Sequence, residues 1–269
     1  MLFLPEHELA NGVFCFTTST LGGVSNDAYK SFNVGNHVGD NQDRVATNRH
    51  LLQAIITQQT VNRRREFNNN DAVEIAPFIV APLKWLPQGH SSNIVDYDDV
   101  ETSSDGEIAA KVIDGVYTLS TATPLAVMTA DCLPIMLACN KTGKIAAVHA
   151  GWRGLVDGFL NKVVSRFESP LDVNVWIGPH ISQDNFQVSR DIINLFSPYG
   201  SAVKEAMEKD KYLVSLSDIA SYQLHQLGVN KIQISPVCTY LHKHCFSHRR
   251  SIHNKQNNTG RMATVIMRL

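Results

Sequence analysis

Apolar residues concentrate in two runs on either side of a short polar turn. The first is 124–139, Pro-Leu-Ala-Val-Met-Thr-Ala-Asp-Cys-Leu-Pro-Ile-Met-Leu-Ala-Cys; the second is 144–150, Lys-Ile-Ala-Ala-Val-His-Ala, after Asn140-Lys141-Thr142-Gly143. Apolar runs joined by a short Gly-containing connection predict a β-hairpin. With a loop of two or four residues, Asn140 pairs with Gly143 or Cys139 with Lys144, and in either case Cys132 faces Gly151. Side chains alternate with period two, so His149 shares the face of residue 151. It becomes a diagonal neighbour of Cys132, with backbones ~7–8 Å apart.

The pattern elsewhere alternates between strand and helix. Residues 12–18 predict an opening strand that runs into the glycine turn Gly22-Gly23, and 31–40 are too glycine-rich for a helix and too polar for a core strand. Val45, Leu51, Leu52, Ile55 and Ile56 recur at helical spacing. They predict a helix of about four turns, started by Asn41 or Asp43 and ending near Gln58-Gln59. Residues 61–75, with the basic triplet Arg63-Arg64-Arg65 and an Asn run, read as a mobile solvated loop. Strands are predicted at 78–80, 83–86, 93–95 and 112–119, with an acidic loop over 96–105. After the hairpin, Leu155, Val156, Phe159, Leu160, Val163, Val164 and Phe167 form the stripe of an amphipathic helix that Pro170 ends. The strand at 173–178 then completes a strand–helix–strand unit and suggests a parallel pairing. Helices are predicted at 192–196, 202–207 and 216–227, and strands at 231–235 and 262–268. With no internal repeat and no break in composition, the 269 residues read as a single α+β domain.

Composition narrows the function classes. A formal charge of -1 leaves no global field to attract nucleic acid. No run of 18 apolar residues exists and the chain opens on Met-Leu-Phe-Leu-Pro-Glu-His-Glu, without the positive charge of a secretory signal, so no membrane partner and a cytoplasmic location are expected. Five scattered cysteines in a chain of this length are expected to be free thiols.

Candidate chemistry gathers on His90, Cys132 and His149. Each sits at a predicted strand end beside glycine or a turn, and two imidazoles with one thiolate are a three-ligand set suited to catalytic zinc. The same atoms permit a second chemistry, a Cys132 thiolate with His149 as general base, suited to amide cleavage or deamidation. That dyad would not require His90. A third reading is a zinc-stabilised binding protein without turnover. Copper oxidase chemistry fits poorly: laccase activity needs several copper sites, and the only His-x-His pair among eleven histidines is His242-x-His244.

Several ordered motifs go further. Thr129-Ala130-Asp131-Cys132-Leu133-Pro134, His149-Ala150-Gly151-Trp152-Arg153-Gly154, Ile177-Gly178-Pro179-His180-Ile181 and Thr259-Gly260-Arg261-Met262-Ala263 stand with Gly22-Gly23-Val24-Ser25, Asn33-x-Gly35-x-His37-Val38-Gly39-Asp40 and Asn48-Arg49. Together they closely resemble the laccase-domain family. That family was first described as multicopper polyphenol oxidases and is now regarded as multifunctional purine nucleoside enzymes; some bacterial members are called peptidoglycan editing factors. The resemblance implies a four-layer α/β/β/α sandwich with mixed sheets and a zinc held by His90, Cys132 and His149. It also implies phosphorolysis of adenosine, inosine, guanosine and methylthioadenosine with inorganic phosphate as co-substrate, and hydrolytic deamination of adenosine. Asp131 is then the candidate proton carrier, Arg49, Arg153 and Arg249 the candidate anion contacts, and Asn33 and His37 the candidate nucleoside contacts. A Cys132–His149 hydrolase acting on a cell-wall precursor is the alternative. Thr20 stands where an arginine is common in that family, Gly89 and Ser91 where Val and Gly are usual, and Gln187 where Glu is frequent; Gly89 is expected to loosen the ligand segment by up to about 1 kcal/mol.

Overall fold

Alternation along the central strands feeds two different cores, and this divides the molecule into layers. The computed structural model describes residues 1–67, 79–104, 106–109, 111–256 and 258–269. In chain order it contains β1 (Leu2–Phe3), β2 (Val13–Thr18), α1 (Gln42–Phe67), β3 (Ile94–Asp96), β4 (Gly115–Thr118), β5 (Leu125–Thr129), β6 (Leu133–Cys139) and β7 (Ile145–Ala150). There follow α2 (Trp152–Val156), α3 (Phe159–Val164), β8 (Val173–Ile177), β9 (Gln187–Ser189), α4 (Arg190–Ile193), β10 (Val203–Glu205), β11 (Lys211–Val214), α5 (Leu216–Gln226), β12 (Lys231–Ile234), α6 (His248–His253) and β13 (Met262–Arg268).

A four-stranded sheet, ordered β1-β2-β13-β5, faces a six-stranded sheet, ordered β12-β8-β6-β7-β4-β3. Met136 and Ala138 of β6 and Ile145 and Ala147 of β7 point toward Cys15, Leu125, Val127 and Ile266 of the smaller sheet, forming the inner core. The alternate residues Leu133, Ile135, Leu137, Ala146 and Val148 point outward onto Leu155, Phe159, Leu160 and Val163 of α2 and α3 and Ile219 and Leu224 of α5. On the other side Phe14, Phe16, Val265 and Met267 of the four-stranded sheet pack on Leu52 and Ile56 of α1. The order is therefore α/β/β/α with a mixed larger sheet, as the family resemblance implies. A separate three-stranded sheet, β10-β11-β9, lies beside it.

The hairpin has the predicted register. Pro134 pairs with His149 and Leu133 with Ala150, and a four-residue loop closes through Gly143 N–H to Cys139 O at 2.9 Å. Gly143 takes φ +74°, where a side chain would be strained and would also strike Arg268. The strand after the helix is parallel to β7 yet not its neighbour: β8 pairs antiparallel with β6, which lies between them. The parallel pairs are β12 with β8 and β3 with β4.

Four expectations change. Helix α1 continues through the basic triplet to Phe67, because no Gly or Pro interrupts 42–67. The basic residues are thus helical, with Arg63 paired to Glu8 at 2.8 Å; the remainder of the expected loop, 68–75, lies outside the described residues, as does Phe78. Residues 83–86 are not a strand: Pro82 and Pro87 bracket them and remove donors, leaving one bridge, Trp85 to Glu107. The segment 202–207 carries helix formers, yet Val203–Glu205 is strand β10, because pairing with β11 across the turn at Asp210 outweighs local propensity. Gly158, at φ +68°, splits the post-hairpin helix into α2 and α3. Among the described residues no helix is long and apolar enough to cross a membrane, and all five cysteines are free.

Ile135, fully buried on the helix-facing side of the central strand, tests this layering. Ile135→Ala is expected to lower stability by about 2–5 kcal/mol in a denaturant titration. A loss under about 1 kcal/mol would contradict its place in a close-packed core.

Candidate metal centre

The two sheets are joined at one end by residues 130–132, which cross from β5 in the smaller sheet to β6 in the larger. Asp131 takes φ +97° in this crossing, so the chain leaves strand geometry there and turns Cys132 across the open end of the sandwich. His149, one residue from the end of β7, is 5% exposed and shares the inner face of its sheet with Ile145 and Ala147. His90 arrives from the segment before β3. Gln88 fixes that segment to the free edge of β5, donating from Nε2 to Met128 O at 2.9 Å and accepting from Met128 N–H at 2.7 Å.

The side chains of His90, Cys132 and His149 offer one ligand atom each, all within 4.8 Å of one another. Cys132 Sγ is 3.6 Å from His90 Nε2, and the two imidazole rings meet edge-on with centroids 4.9 Å apart. Gly151 makes this convergence possible: a Cβ there would lie 2.7 Å from His90 Cδ2 and 3.2 Å from Cys132 Sγ. Gly89 serves the same end, because a Cβ would meet Val112 Cγ1 at 2.7 Å. The glycine expected to loosen the ligand segment is therefore the residue that lets it pack, in front of a valine two residues before Asp114.

Asp114 is the residue that sequence reasoning missed. Its carboxylate is fully buried and accepts from His149 Nδ1 at 2.7 Å, leaving Nε2 as the ligand atom. The same two oxygens accept the backbone N–H groups of Gly89 at 3.2 Å, His90 at 3.2 Å and Ser91 at 2.5 Å. One carboxylate thus orients one ligand and holds the loop that carries another, with His90 at φ +62°. A buried aspartate opening a strand beside a glycine was the available signal, but only the sheet places it against a histidine 35 residues later. Burial favours the neutral carboxyl of Asp114, yet the bonds and charge of His149 and Ser91 outweigh it and hold the pKa below the ordinary value.

The ligands polarise one another. Burial pushes the Cys132 thiol up, but hydrogen bonds and charge from His149 and then His90 bring it down to about 6. Burial likewise pushes His149 down, while Asp114 and Cys132 raise it to about 9. Between those values the metal-free pair is thiolate and imidazolium. Thiolate sulfur with imidazole nitrogen, backed by a carboxylate behind one imidazole, fits the donor chemistry of a three-ligand zinc site.

The other expected site residues are spread around this centre and not all of them reach it. Asp131 is 8% exposed and accepts from Thr239 Oγ1 at 2.6 Å and Arg249 N–H at 2.7 Å. It ties the crossing segment to the C-terminal region. Asn33 is fully buried; Oδ1 accepts from Gly35 and Arg261 N–H and Nδ2 donates to Gly35 O and Asp40, so these bonds shape its loop. His37 is exposed on that loop, its pKa lowered by burial and then by the charges of Arg261, Arg49 and His149. Arg49 donates to Glu107 at 2.7 Å and to Val34 O at 2.9 Å, over the Trp85 ring at 4.1 Å. Arg153 is exposed and stacks on Trp152 at 4.4 Å, and Arg249 lies over Phe186 at 5.3 Å. Thr20, in place of the common arginine, is 7% exposed and donates its N–H to His244 O at 2.9 Å.

A two-sheet sandwich carrying a His-Cys-His group at its open end, the one such group among the described residues, defines a class of α+β protein. The chain belongs to the family described as multi-copper polyphenol oxidoreductase laccase, whose model matches residues 14–269. It is 36% identical over 269 residues to a Haemophilus influenzae protein named purine nucleoside phosphorylase, covering 97% of both chains. An Escherichia coli protein named purine nucleoside phosphorylase YfiH is 34% identical, with 98% of each chain covered. The crystal structure of a Neisseria meningitidis protein superposes with a TM-score of 0.81 at 29% identity, over 99% of this chain and 98% of that one. YlmD from Geobacillus stearothermophilus gives 0.74 at 26% identity, over 96% and 92%.

Two outcomes test the centre. Asp114→Asn sets an amide N–H₂ against donors and is expected to weaken metal binding by about 10- to 100-fold in chelator competition; unchanged affinity would remove its orienting role. In the metal-free protein, alkylation of Cys132 followed by mass spectrometry is expected to accelerate as pH rises through about 6, where the thiolate forms. An inflection near the ordinary thiol value would contradict the polarised triad.

Proposed function

We propose that the protein is a zinc-dependent purine nucleoside enzyme that works in the cytoplasm on small molecules, cleaving adenosine, inosine, guanosine and methylthioadenosine with inorganic phosphate and deaminating adenosine with water. The observation that carries this reading is the His90–Cys132–His149 group in a chain that matches proteins named purine nucleoside phosphorylase along nearly its full length. Nucleic acid and membrane have no part in it. Zinc, when bound, supplies Lewis acidity and lowers the pKa of water. His149 is presented with Nε2 forward because Asp114 occupies Nδ1, and Cys132 is already biased to the thiolate a metal needs.

In phosphorolysis a phosphate oxygen bonds to the anomeric carbon as the glycosidic C–N bond breaks. Its electron pair leaves on the purine nitrogen, which takes up a proton. In deamination a water oxygen bonds to the purine carbon and the amino group leaves as ammonia. Asp131 carries hydrogen bonds on both oxygens, so its contribution is to hold the crossing segment that presents Cys132. His37 and His248, both exposed, are within electrostatic reach of His149 and His90 respectively and are the groups offered to the nucleoside. The family's copper description does not extend to a laccase mechanism here: among the described residues one group of three ligand types gathers, where a laccase needs several copper sites.

The low Cys132 pKa favours a second reading, a Cys132–His149 hydrolase acting on a cell-wall precursor without metal. It leaves His90 without a task. The two readings part on Cys132→Ser. The zinc reading expects bound metal to fall below one per chain, and inosine cleavage with phosphate and adenosine deamination to be lost together, while circular dichroism keeps its folded shape. Full metal content with lost turnover would favour the hydrolase, and no nucleoside turnover by the zinc-loaded parent would overturn the proposal.

A further inference from the structure

Arg261 combines a place at the start of β13, a clamped backbone and a half-buried guanidinium. It stands immediately before β13, whose first residue Met262 pairs with Thr129, the last residue of β5. Continuing that register sets Arg261 opposite Ala130, at the start of the segment that carries Asp131 and Cys132. The loop 33–35 wraps its backbone: Asn33 Oδ1 accepts its N–H at 2.8 Å, and Val34 N–H donates to its carbonyl at 3.3 Å. Gly35 lets the side chain pass, since a Cβ there would lie 2.8 Å from Arg261 Cγ.

The guanidinium is half-buried, and among the described residues its hydrogen bonds go only to the carbonyls of Thr259 at 3.0 Å and Gly260 at 3.2 Å, both from Nη1. A cation withdrawn from water is costly without a compensating charge. Burial lowers its pKa, and the negative charges that act on it in return are first Cys132 and then Asp131, two residues of the metal-bearing segment. Arg49 is committed to Glu107, Arg153 lies on Trp152 at the surface, and Arg249, half-buried as well, is turned onto Phe186 and the Asn185 carbonyl at 3.4 Å. The fork that could take an oxyanion in two parallel hydrogen bonds beside the thiolate is therefore that of Arg261.

We propose that Arg261 holds the phosphate co-substrate beside the His90–Cys132–His149 centre and sets the preference for phosphate over water as the attacking group. This deepens the phosphorylase reading and rests on it for the identity of the reaction, though not for the anion site itself. The phosphate dianion adds negative charge beside the half-buried guanidinium, and the Asn33 clamp fixes the backbone from which that side chain extends.

The test uses the full chain loaded with zinc and titrated with inorganic phosphate. Phosphate is expected to raise the melting temperature of the parent saturably and to leave that of Arg261→Gln unmoved. With inosine as substrate, the KM for phosphate is expected to rise at least about 10-fold in Arg261→Gln while the KM for inosine stays within about threefold and bound zinc is unchanged. Arg261→Lys keeps the charge but not the fork and is expected to fall between the two; it carries the test where Arg261→Gln does not fold. A parental phosphate response and phosphate KM in either folded variant would overturn the proposal, as would a parent whose melting temperature ignores phosphate. A parent that is stabilised by phosphate through Arg261 yet cleaves no nucleoside would uphold the anion site and defeat the phosphorylase reading alone.

Discussion

The contact between Asp114 and His149 governs the rest of the centre. A fully buried carboxylate is tolerated only when its oxygens are satisfied, and here one imidazole and three backbone N–H groups satisfy them. The same bonds decide which nitrogen His149 presents and where the segment 89–91 must lie, so a single desolvated charge couples strands β4 and β7 to the loop that Gln88 anchors on β5. Removing one partner of such a buried pair costs about 3–5 kcal/mol, enough to make the arrangement all-or-none. His90, the most exposed ligand, owes its position to this carboxylate more than to any packing of its own.

Placement at the open end follows from the sandwich. The two sheets share an inner core from Cys15 to Ile266, which closes the middle of the molecule to solvent. Where β5 hands over to β6 the chain passes between the sheets in three residues, 130–132, with Asp131 at φ +97° and its carboxylate tied to Thr239 and Arg249. The C-terminal segment thus supplies both the brace for the crossing and, in Arg261, a half-buried cation at the start of β13 whose hydrogen bonds among the described residues go to backbone carbonyls. Glycines 35, 89 and 151 stand where side chains or ligands approach too closely for a Cβ.

How much of this the sequence carries depends on the range of the interaction that decides it. The hairpin register is legible because a Gly-containing turn and two apolar runs leave little freedom, and register alone puts Cys132 and His149 on one face. Strands β2, β12 and β13 and helix α5 are legible for the same local reason. The three-stranded sheet is not: residues 202–207 have the composition of a helix and become β10 only because β11 is there to pair with them. Asp114 and Arg261 are invisible locally, since one gains its role from a histidine across a sheet and the other from a loop more than 220 residues earlier. Asn33 and Arg49 sit in family motifs, but their framework bonds, from Asn33 to Arg261 N–H and from Arg49 to Val34 O and Glu107, span distances in the chain that no local pattern shows.

The central claim is that two imidazoles and one thiolate, aligned by one buried carboxylate, form a single metal centre. X-ray absorption at the zinc edge of protein reconstituted with one equivalent of zinc tests it most directly. The account predicts one sulfur scatterer at about 2.3 Å together with imidazole nitrogens at about 2.0–2.1 Å. A first shell of nitrogen and oxygen alone, with no sulfur, would contradict it.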